Sequence, residues 1–469
     1  MENLTVKDIN VGLNKGAFSA VEVTKDYLNR IEKKEKDIHA FLHVSSNSAL
    51  AQAKEVDDLI AAGSKIGPLA GVPVSVKDAV LVQDLPCTAG SRVLESYVAP
   101  YQATAVSKLR DAGAIILGKT NMDEFGMGAS TENSAYGPTK NPLDLLRVPG
   151  GSSGGSAASI AADESVIALG EDTGGSIRQP AAFCGITGLK PTYGTISRYG
   201  VIAAASSLDQ LGPMGKTVSD VEAMFKVMAG QDPLDATSAD YTYKEEKGVS
   251  LNNITIGVPK EYFSEGLDSS IEKVIREKIA EYEKAGATIK EISLPHTKYA
   301  LATYYLINFS EISTNLARYD GIRYGKPTQK SSLEESYLAT RGGQLGTEVK
   351  RRIMLGAYAL SAGYYDAYYI RAQKIRTLLK QDFEKAFEEV DVIVGPVSPF
   401  LPFKLGERTN DPLAMYLVDI YTVPVNLAGL PGISLPVGKS GKLPIGMQVI
   451  GKPFAESQLL AISKEFEKI

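Results

Sequence analysis

Two glycine-serine clusters constrain this chain more than any other feature. The first is Val148-Pro149-Gly150-Gly151-Ser152-Ser153-Gly154-Gly155-Ser156-Ala157-Ala158. The second is Gly170-Glu171-Asp172-Thr173-Gly174-Gly175-Ser176-Ile177-Arg178-Gln179-Pro180-Ala181. Taken alone, the first has the make-up of a flexible linker. Linkers of that kind join separate domains, whereas the run that follows here, Ala157 to Leu169, is small and apolar and predicts a tightly packed helix. Both clusters stand at the mouths of apolar segments, where backbone must bend sharply or approach a ligand closely. They are therefore expected to be turns inside a folded core.

Around them, short apolar runs alternate with amphipathic stretches. Ser19 and Glu22 form a capping box ahead of an apolar face of Val23, Tyr27, Leu28 and Ile31. A second helix is predicted from Ser48 through Val56 and Ile60, stopped by Gly63, so residues 1–65 read as a helical segment. Val72 to Val76 reads as a strand, Ala105 to Ala112 as a helix, and Ala114 to Leu117 as another strand. Further on, Ile254 to Val258, a helix capped at Ser269 and Glu272, and Ala287 to Leu294 make a β-α-β unit. Asp391 to Val394, Ile433 to Leu435 and Ile445 to Ile450 are further strands. This alternation predicts an α/β protein whose mixed central sheet carries helices on both faces. The polar stretch Gly230 to Asn253 is too short to divide it, so a single domain over 1–469 is expected.

Composition excludes several classes of function. With a formal net charge of -5, the chain offers no broad basic surface for direct binding of nucleic acid. Cys87 and Cys184 are too few for a disulfide framework and lack metal-ligand spacing, so no metal is expected. The opening residues, Met1 to Asp8, lack the basic-then-apolar layout of a secretory signal. No apolar run approaches the roughly 20 residues needed to cross a bilayer. A cytoplasmic protein without membrane association is the expectation.

The second cluster suggests chemistry. Consecutive N–H groups of Thr173, Gly174, Gly175 and Ser176 can converge on one point as an oxyanion hole, with Ser176 placed to attack a carbonyl. Such donors are each worth about 3 kcal/mol of transition-state stabilisation. A serine nucleophile needs a base. His39 and His43 lie on an apparent helix or loop and His296 in a strand-to-helix connection, so a Ser-His-Asp triad is not expected. A lysine can serve if burial keeps it neutral, and Lys77 at the end of the strand Val72 to Val76 has a suitable setting. A Lys-Asp pair at a strand end is more often a solvated ion pair, and position alone does not select Lys77. A competing motif, Gly113-Ala114-Ile115-Ile116-Leu117-Gly118-Lys119-Thr120, matches the phosphate-binding loop letter for letter, as a nucleotide-binding regulatory protein would require. Its middle residues read as a strand preceded by a helix, which is the wrong context for that loop.

These residues resemble the amidase signature family. Gly150 to Ser156 and Asp172 to Arg178 are similar to its two defining blocks, and Gly71-Val72-Pro73 leading to Lys77-Asp78 resembles its lysine block. Ala79 departs from the Asn that many relatives carry at that point. The resemblance implies the amidase signature fold, Ser176 as nucleophile, Ser152 as a bridging serine after a cis peptide bond, and Lys77 as the base. Within the family, Asn121 to Phe125, Ser206 to Gln210, Asp320 to Gly325, Lys350 to Ile353 and Gly363 to Tyr369 resemble the glutamine-hydrolysing A subunits of tRNA-dependent amidotransferases. That likeness implies glutamine as substrate, bound by Tyr304, Arg352 and Asp419. Arg352 suits the α-carboxylate, gripped by two parallel bonds, and Asp419 suits the α-ammonium. Without the resemblance, Arg352 reads as a helix-surface charge and Asp419 as an ordinary helix residue. The likeness further implies B and C partner subunits, the B subunit handling ATP, Mg and misacylated Glu-tRNA(Gln) or Asp-tRNA(Asn). It implies no cofactor in this chain. A stand-alone amidase for another small amide is the nearer alternative, which Arg352 and Asp419 argue against.

Overall fold

The computed structural model describes residues 1–469. Eleven strands form one sheet. They are β1 (Phe41–Val44), β2 (Pro73–Lys77), β3 (Ile115–Thr120), β4 (Ile167–Asp172), β5 (Thr187–Lys190) and β6 (Gln210–Gly215). The chain then adds β7 (Thr255–Pro259), β8 (Thr288–Ile292), β9 (Val392–Pro396), β10 (Gly432–Ser440) and β11 (Leu443–Ile450). Their spatial order is β1-β3-β2-β4-β6-β5-β10-β11-β9-β7-β8. β3, β2 and β4 are parallel neighbours, as are β9, β7 and β8, and antiparallel pairs join the two groups. The sheet is therefore mixed, as expected.

Every residue of β2, β3 and β4 is buried, which is why these strands are built from near-continuous apolar runs rather than alternating ones. Val74, Val76, Ile167 and Leu169 belong to a core cluster of 61 buried residues reaching from Val6 to Phe466. Helices pack on the sheet. Residues 154–161 lie against β4, and residues 178–184 lie against β10 and β11. No helix is long and apolar enough to cross a membrane.

Several local expectations hold. Ser19 caps the helix 20–38 through a capping box with Glu22, and Val23, Tyr27 and Ile31 are buried beneath it. β7, the helix 269–284 and β8 form the predicted β-α-β unit, with β7 and β8 parallel. Others need correction. The run Ala157 to Leu169 is not one helix: the helix ends at Ala161 and β4 begins at Ile167. Asp163, at φ 59°, turns the chain out of the helix, and apolarity alone does not separate the helical half from the strand half. The helix 269–284 is capped by Asp268, whose side chain accepts from the Ser270 amide, and not by Ser269. The segment 1–65 is not wholly helical, because β1 lies within it and pairs with β3; His43 sits in that strand. The phosphate-loop look-alike forms β3, and its Lys119 is buried and paired with Asp78 at 2.9 Å.

The bend after residue 161 also carries a buried carboxyl pair. Glu164 has no solvent exposure and neither of its oxygens has a hydrogen-bond partner. Burial pushes its pKa up to about 9, with the charge of Glu35 acting in the same direction. Burial likewise raises Glu35 to about 7, although its Oε1 accepts from the Phe41 amide. A carboxyl whose folded pKa lies above its ordinary value of 4.5 favours the fold fully below that value. The advantage is lost as pH rises towards the folded pKa. Glu164→Gln is accordingly expected to melt several degrees above the parent at pH 8, roughly 2 °C for each kcal/mol recovered, and level with it near pH 5. Melting curves at the two pH values decide this, and equal curves at pH 8 would contradict it.

Candidate active site

Lys77 is the last residue of β2, where the parallel strands β3 and β4 flank it, and it has no solvent exposure. Its Nζ lies 2.8 Å from Ser152 Oγ, 3.0 Å from the Glu171 carbonyl oxygen and 3.5 Å from Glu171 Oε2. Burial lowers the lysine's pKa, opposed first by the charge of Glu171 and then by Asp123 and Asp172. A neutral amine offers two N–H donors and one lone pair. That valence fits this surrounding: both donors meet Glu171 oxygens, and the lone pair is left for the Ser152 hydroxyl.

The Ser152 turn is held against the end of β4. The Gly151–Ser152 peptide is cis. The Gly151 amide donates to Gln179 Oε1 at 2.9 Å, Ser153 Oγ to the Glu171 carbonyl at 3.0 Å, and the Ser153 amide to the Ser176 carbonyl at 3.2 Å. The last bond brings the two serine turns side by side. Gly155 explains why the cluster is glycine-rich: a Cβ there would lie 2.5 Å from the Asn121 and Ala40 carbonyl oxygens. The stretch is thus compressed core backbone, the opposite of a linker.

Asp172, the last residue of β4, builds the Ser176 turn. Its carboxylate accepts from the amides of Gly175 at 2.8 Å and Ile177 at 3.1 Å, from Arg178 at 3.1 Å and from Asn426 at 2.8 Å. Although burial alone would raise it, the Arg178 guanidinium holds this carboxyl down at about 2. Gly175 sits at φ 142°, and a Cβ on it would meet Thr422 Oγ1 at 2.3 Å. Of the four amides expected in an oxyanion hole, Gly175 is therefore already committed to Asp172. The amides of Thr173, Gly174 and Ser176 make no hydrogen bond within the chain and are free to receive an oxyanion.

Tyr304, Asp419 and Arg352 gather around the same turn. Tyr304 is buried, and its Oη would lie 2.5 Å from a Cβ on Gly174. Asp419 approaches Gly175, with Oδ1 buried and unpartnered. Burial raises the Asp419 carboxyl well above its usual range, helped by Asp172 and opposed by Arg178 and Arg352. Such a group gains from a cationic ligand. Arg352 is 4% exposed, so it is not a helix-surface charge. Its Nε bonds Glu348 at 2.8 Å and Nη1 bonds Asn308 at 3.1 Å, while Tyr305, Phe309 and Tyr416 surround the guanidinium at 5.4, 5.8 and 5.5 Å. With Nε and Nη1 bonded, a carboxylate would be met through Nη2 and the remaining Nη1 hydrogen. A cleft of about 90 Å³, lined by Arg351, Arg352 and Arg408 beside Gly128 and Ser130, gives an anion a basic approach.

The histidines take no part in this cluster. His39 ends a helix, His43 lies in β1 and His296 pairs with Asp382 at 2.9 Å. The sequence alone assigns no role to Glu171, Asp123, Asn308 or Thr422. Glu171 stands inside the second glycine-serine cluster and Asp123 inside the stretch Asn121 to Phe125, so both are near recognisable motifs. Asn308 has a usable signal, one helical turn after Tyr304, whereas nothing local marks Thr422.

The family described as "Amidase" matches residues 22–460. The chain is 55% identical over 469 residues to the A subunit of the glutamyl-tRNA(Gln) amidotransferase of Carboxydothermus hydrogenoformans, covering 99% of this chain and 97% of the relative. The crystal structure of the same-named protein from Thermotoga maritima superposes with a TM-score of 0.82 at 40% identity, covering 99% and 94% of the two chains. A further crystal structure, of an amidase, gives a TM-score of 0.84 at 28% identity over 99% of both chains. Sequence, sheet order and site geometry thus agree that the chain belongs to the amidase signature family.

Proposed function

We propose that the chain is the glutamine-hydrolysing A subunit of a tRNA-dependent amidotransferase, a single-domain amidase working through Ser176, Ser152 and Lys77. The observation that carries the reading is a fully buried lysine amine 2.8 Å from the Ser152 hydroxyl. Arg352 takes the α-carboxylate of glutamine and Asp419 its α-ammonium, with Tyr304 against the turn that faces the side-chain amide. Ser176 Oγ attacks the amide carbon. Its proton passes to Ser152 as the Ser152 proton passes to Lys77 Nζ, leaving an ammonium there. The amides of Thr173, Gly174 and Ser176 hold the oxyanion. The proton then returns by the same route to the leaving nitrogen, the C–N bond breaks and ammonia departs. Water attacks the Ser176 ester along the same proton path and releases glutamate.

No step calls for a cofactor in this chain. The names of the relatives support a partner assembly of B and C subunits in which ATP and Mg activate the carboxyl of Glu-tRNA(Gln), or Asp-tRNA(Asn), to receive the ammonia. A cytoplasmic setting suits those substrates. The test is reconstitution: the chain co-purified with its partner subunits is expected to amidate misacylated tRNA with glutamine as nitrogen donor. A complex that used only free ammonia would overturn the reading, and hydrolysis of another amide in preference to glutamine would favour the stand-alone amidase.

A further inference from the structure

Three buried carboxylates surround Lys77, and they are not equivalent. Asp172 is fully engaged by Arg178, Asn426 and two backbone amides. Asp123 is spent on the amides of Thr131 and Asn133. Glu171 is different. Its side chain is 2% exposed, its Oε2 lies 3.5 Å from Lys77 Nζ, and its Oε1 has no partner. A carboxylate kept in a dry interior for structural reasons would have both oxygens satisfied, because an unpaired one costs stability. Glu171 instead leaves one oxygen empty and aims the other at the lysine. Its backbone carbonyl meanwhile receives both the Lys77 Nζ–H and the Ser153 hydroxyl, so this one residue touches the base and the bridging turn together.

We propose that Glu171 is the counter-charge of the base: held against Lys77 Nζ, its carboxylate sets the proton affinity of the lysine and stabilises the ammonium formed when Ser152 delivers its proton. It is a positioning residue, acting on the reaction only through Lys77, and the inference rests on the reading of Lys77 as base. No atom is transferred to Glu171. The proton lost by Ser176 ends on Nζ, and the carboxylate supplies the compensating charge. Burial lowers Lys77 and raises Glu171, while each group's charge is the first influence opposing that effect in the other. The other charged groups facing the pair are Asp123 and Asp172 on the lysine side and Arg198 and Asp172 on the carboxylate side. Asp209 also feels Glu171, and its carboxyl is pushed up to about 7 by burial and by that charge.

The experiment uses the enzyme assembled with its partner subunits and measures glutamine hydrolysis from pH 5 to 10 in the parent, Glu171→Gln and Glu171→Asp. The base must be neutral to work, so activity rises with pH through the pKa of Lys77. Glu171→Gln removes the charge that raises this pKa. The acid limb of kcat/KM is expected to move down by about one pH unit or more. With a weaker base, the plateau kcat is expected to fall about tenfold or more, with KM within about twofold. Glu171→Asp keeps the charge and is expected to restore the limb towards the parent. A limb unmoved in Glu171→Gln, with a melting temperature equal to the parent's, would overturn the proposal. Two outcomes separate this inference from the reading beneath it. Full activity in Lys77→Met removes Lys77 as base, whereas an inactive Lys77→Met beside an unshifted Glu171→Gln leaves the base in place and removes only the counter-charge.

Discussion

Replacing Ser176 with Ala is expected to lower glutamine-dependent amidation by the assembled enzyme about 10³-fold or more, while amidation supplied with free ammonium salts stays at the parent level. The first half follows from removing the atom that forms the acyl ester, since catalytic groups that act as a unit fail together. The second half follows from geometry. Ser176 Oγ anchors no other part of the site, because the turn is held by Asp172 through the amides of Gly175 and Ile177 and through Arg178. A missing hydroxyl therefore leaves the scaffold standing, and ammonia delivered from solution bypasses it. The two nitrogen donors assayed side by side form the measurement. Equal loss with both donors would mean that the substitution had damaged the assembly, and equal retention would exclude Ser176 as nucleophile.

Lys77→Met is expected to remove glutamine hydrolysis to a similar extent, and Lys77→Arg is expected not to restore it. The contrast is the informative part. Methionine keeps the length and buried volume of the side chain but has no lone pair able to take the Ser152 proton. Arginine keeps a donor in the same place, but its guanidinium stays charged at any accessible pH and cannot be a base. If Lys77 only held Ser152 by a hydrogen bond, arginine would preserve much of the activity. Rates at pH 8 to 9, where a lysine base is most fully neutral, give the greatest separation, and an active Lys77→Arg would retire the proton path. Exogenous small amines offer a second readout, because they can enter the space left by a shortened side chain and accept the proton in its place.

The α/β class, the mixed sheet and strands β2, β3 and β7 to β11 are legible in the alternation of apolar runs with amphipathic stretches. The reason is local: β2 and β3, for example, are buried throughout, so their residues have one thing to do and the pattern shows it. Pattern fails where one composition serves two conformations. Ala157 to Leu169 is uniformly small and apolar, and only the bend at Asp163 shows that it is half helix and half strand, which hides β4. The phosphate-loop letters at Gly113 to Thr120 fail in the opposite direction, matching a motif whose backbone conformation a strand does not adopt.

The same division runs through the candidate site. The residue types needed for serine chemistry without histidine, and the two glycine turns that present them, were determined by the sequence itself, since only glycine tolerates contacts as close as those at Gly155 and Gly175. What the tertiary structure alone decided was charge. Glu171 is an ordinary strand residue until β4 places it 3.5 Å from Lys77, and Arg352 is an ordinary helical cation until three aromatic rings close around it. Asp172 accepts from Asn426, a residue 254 positions away, and also withdraws the Gly175 amide from the oxyanion set. Proton affinity depends on which groups lie within a few ångströms and how little water lies between them. Neither quantity exists along a chain until it has folded.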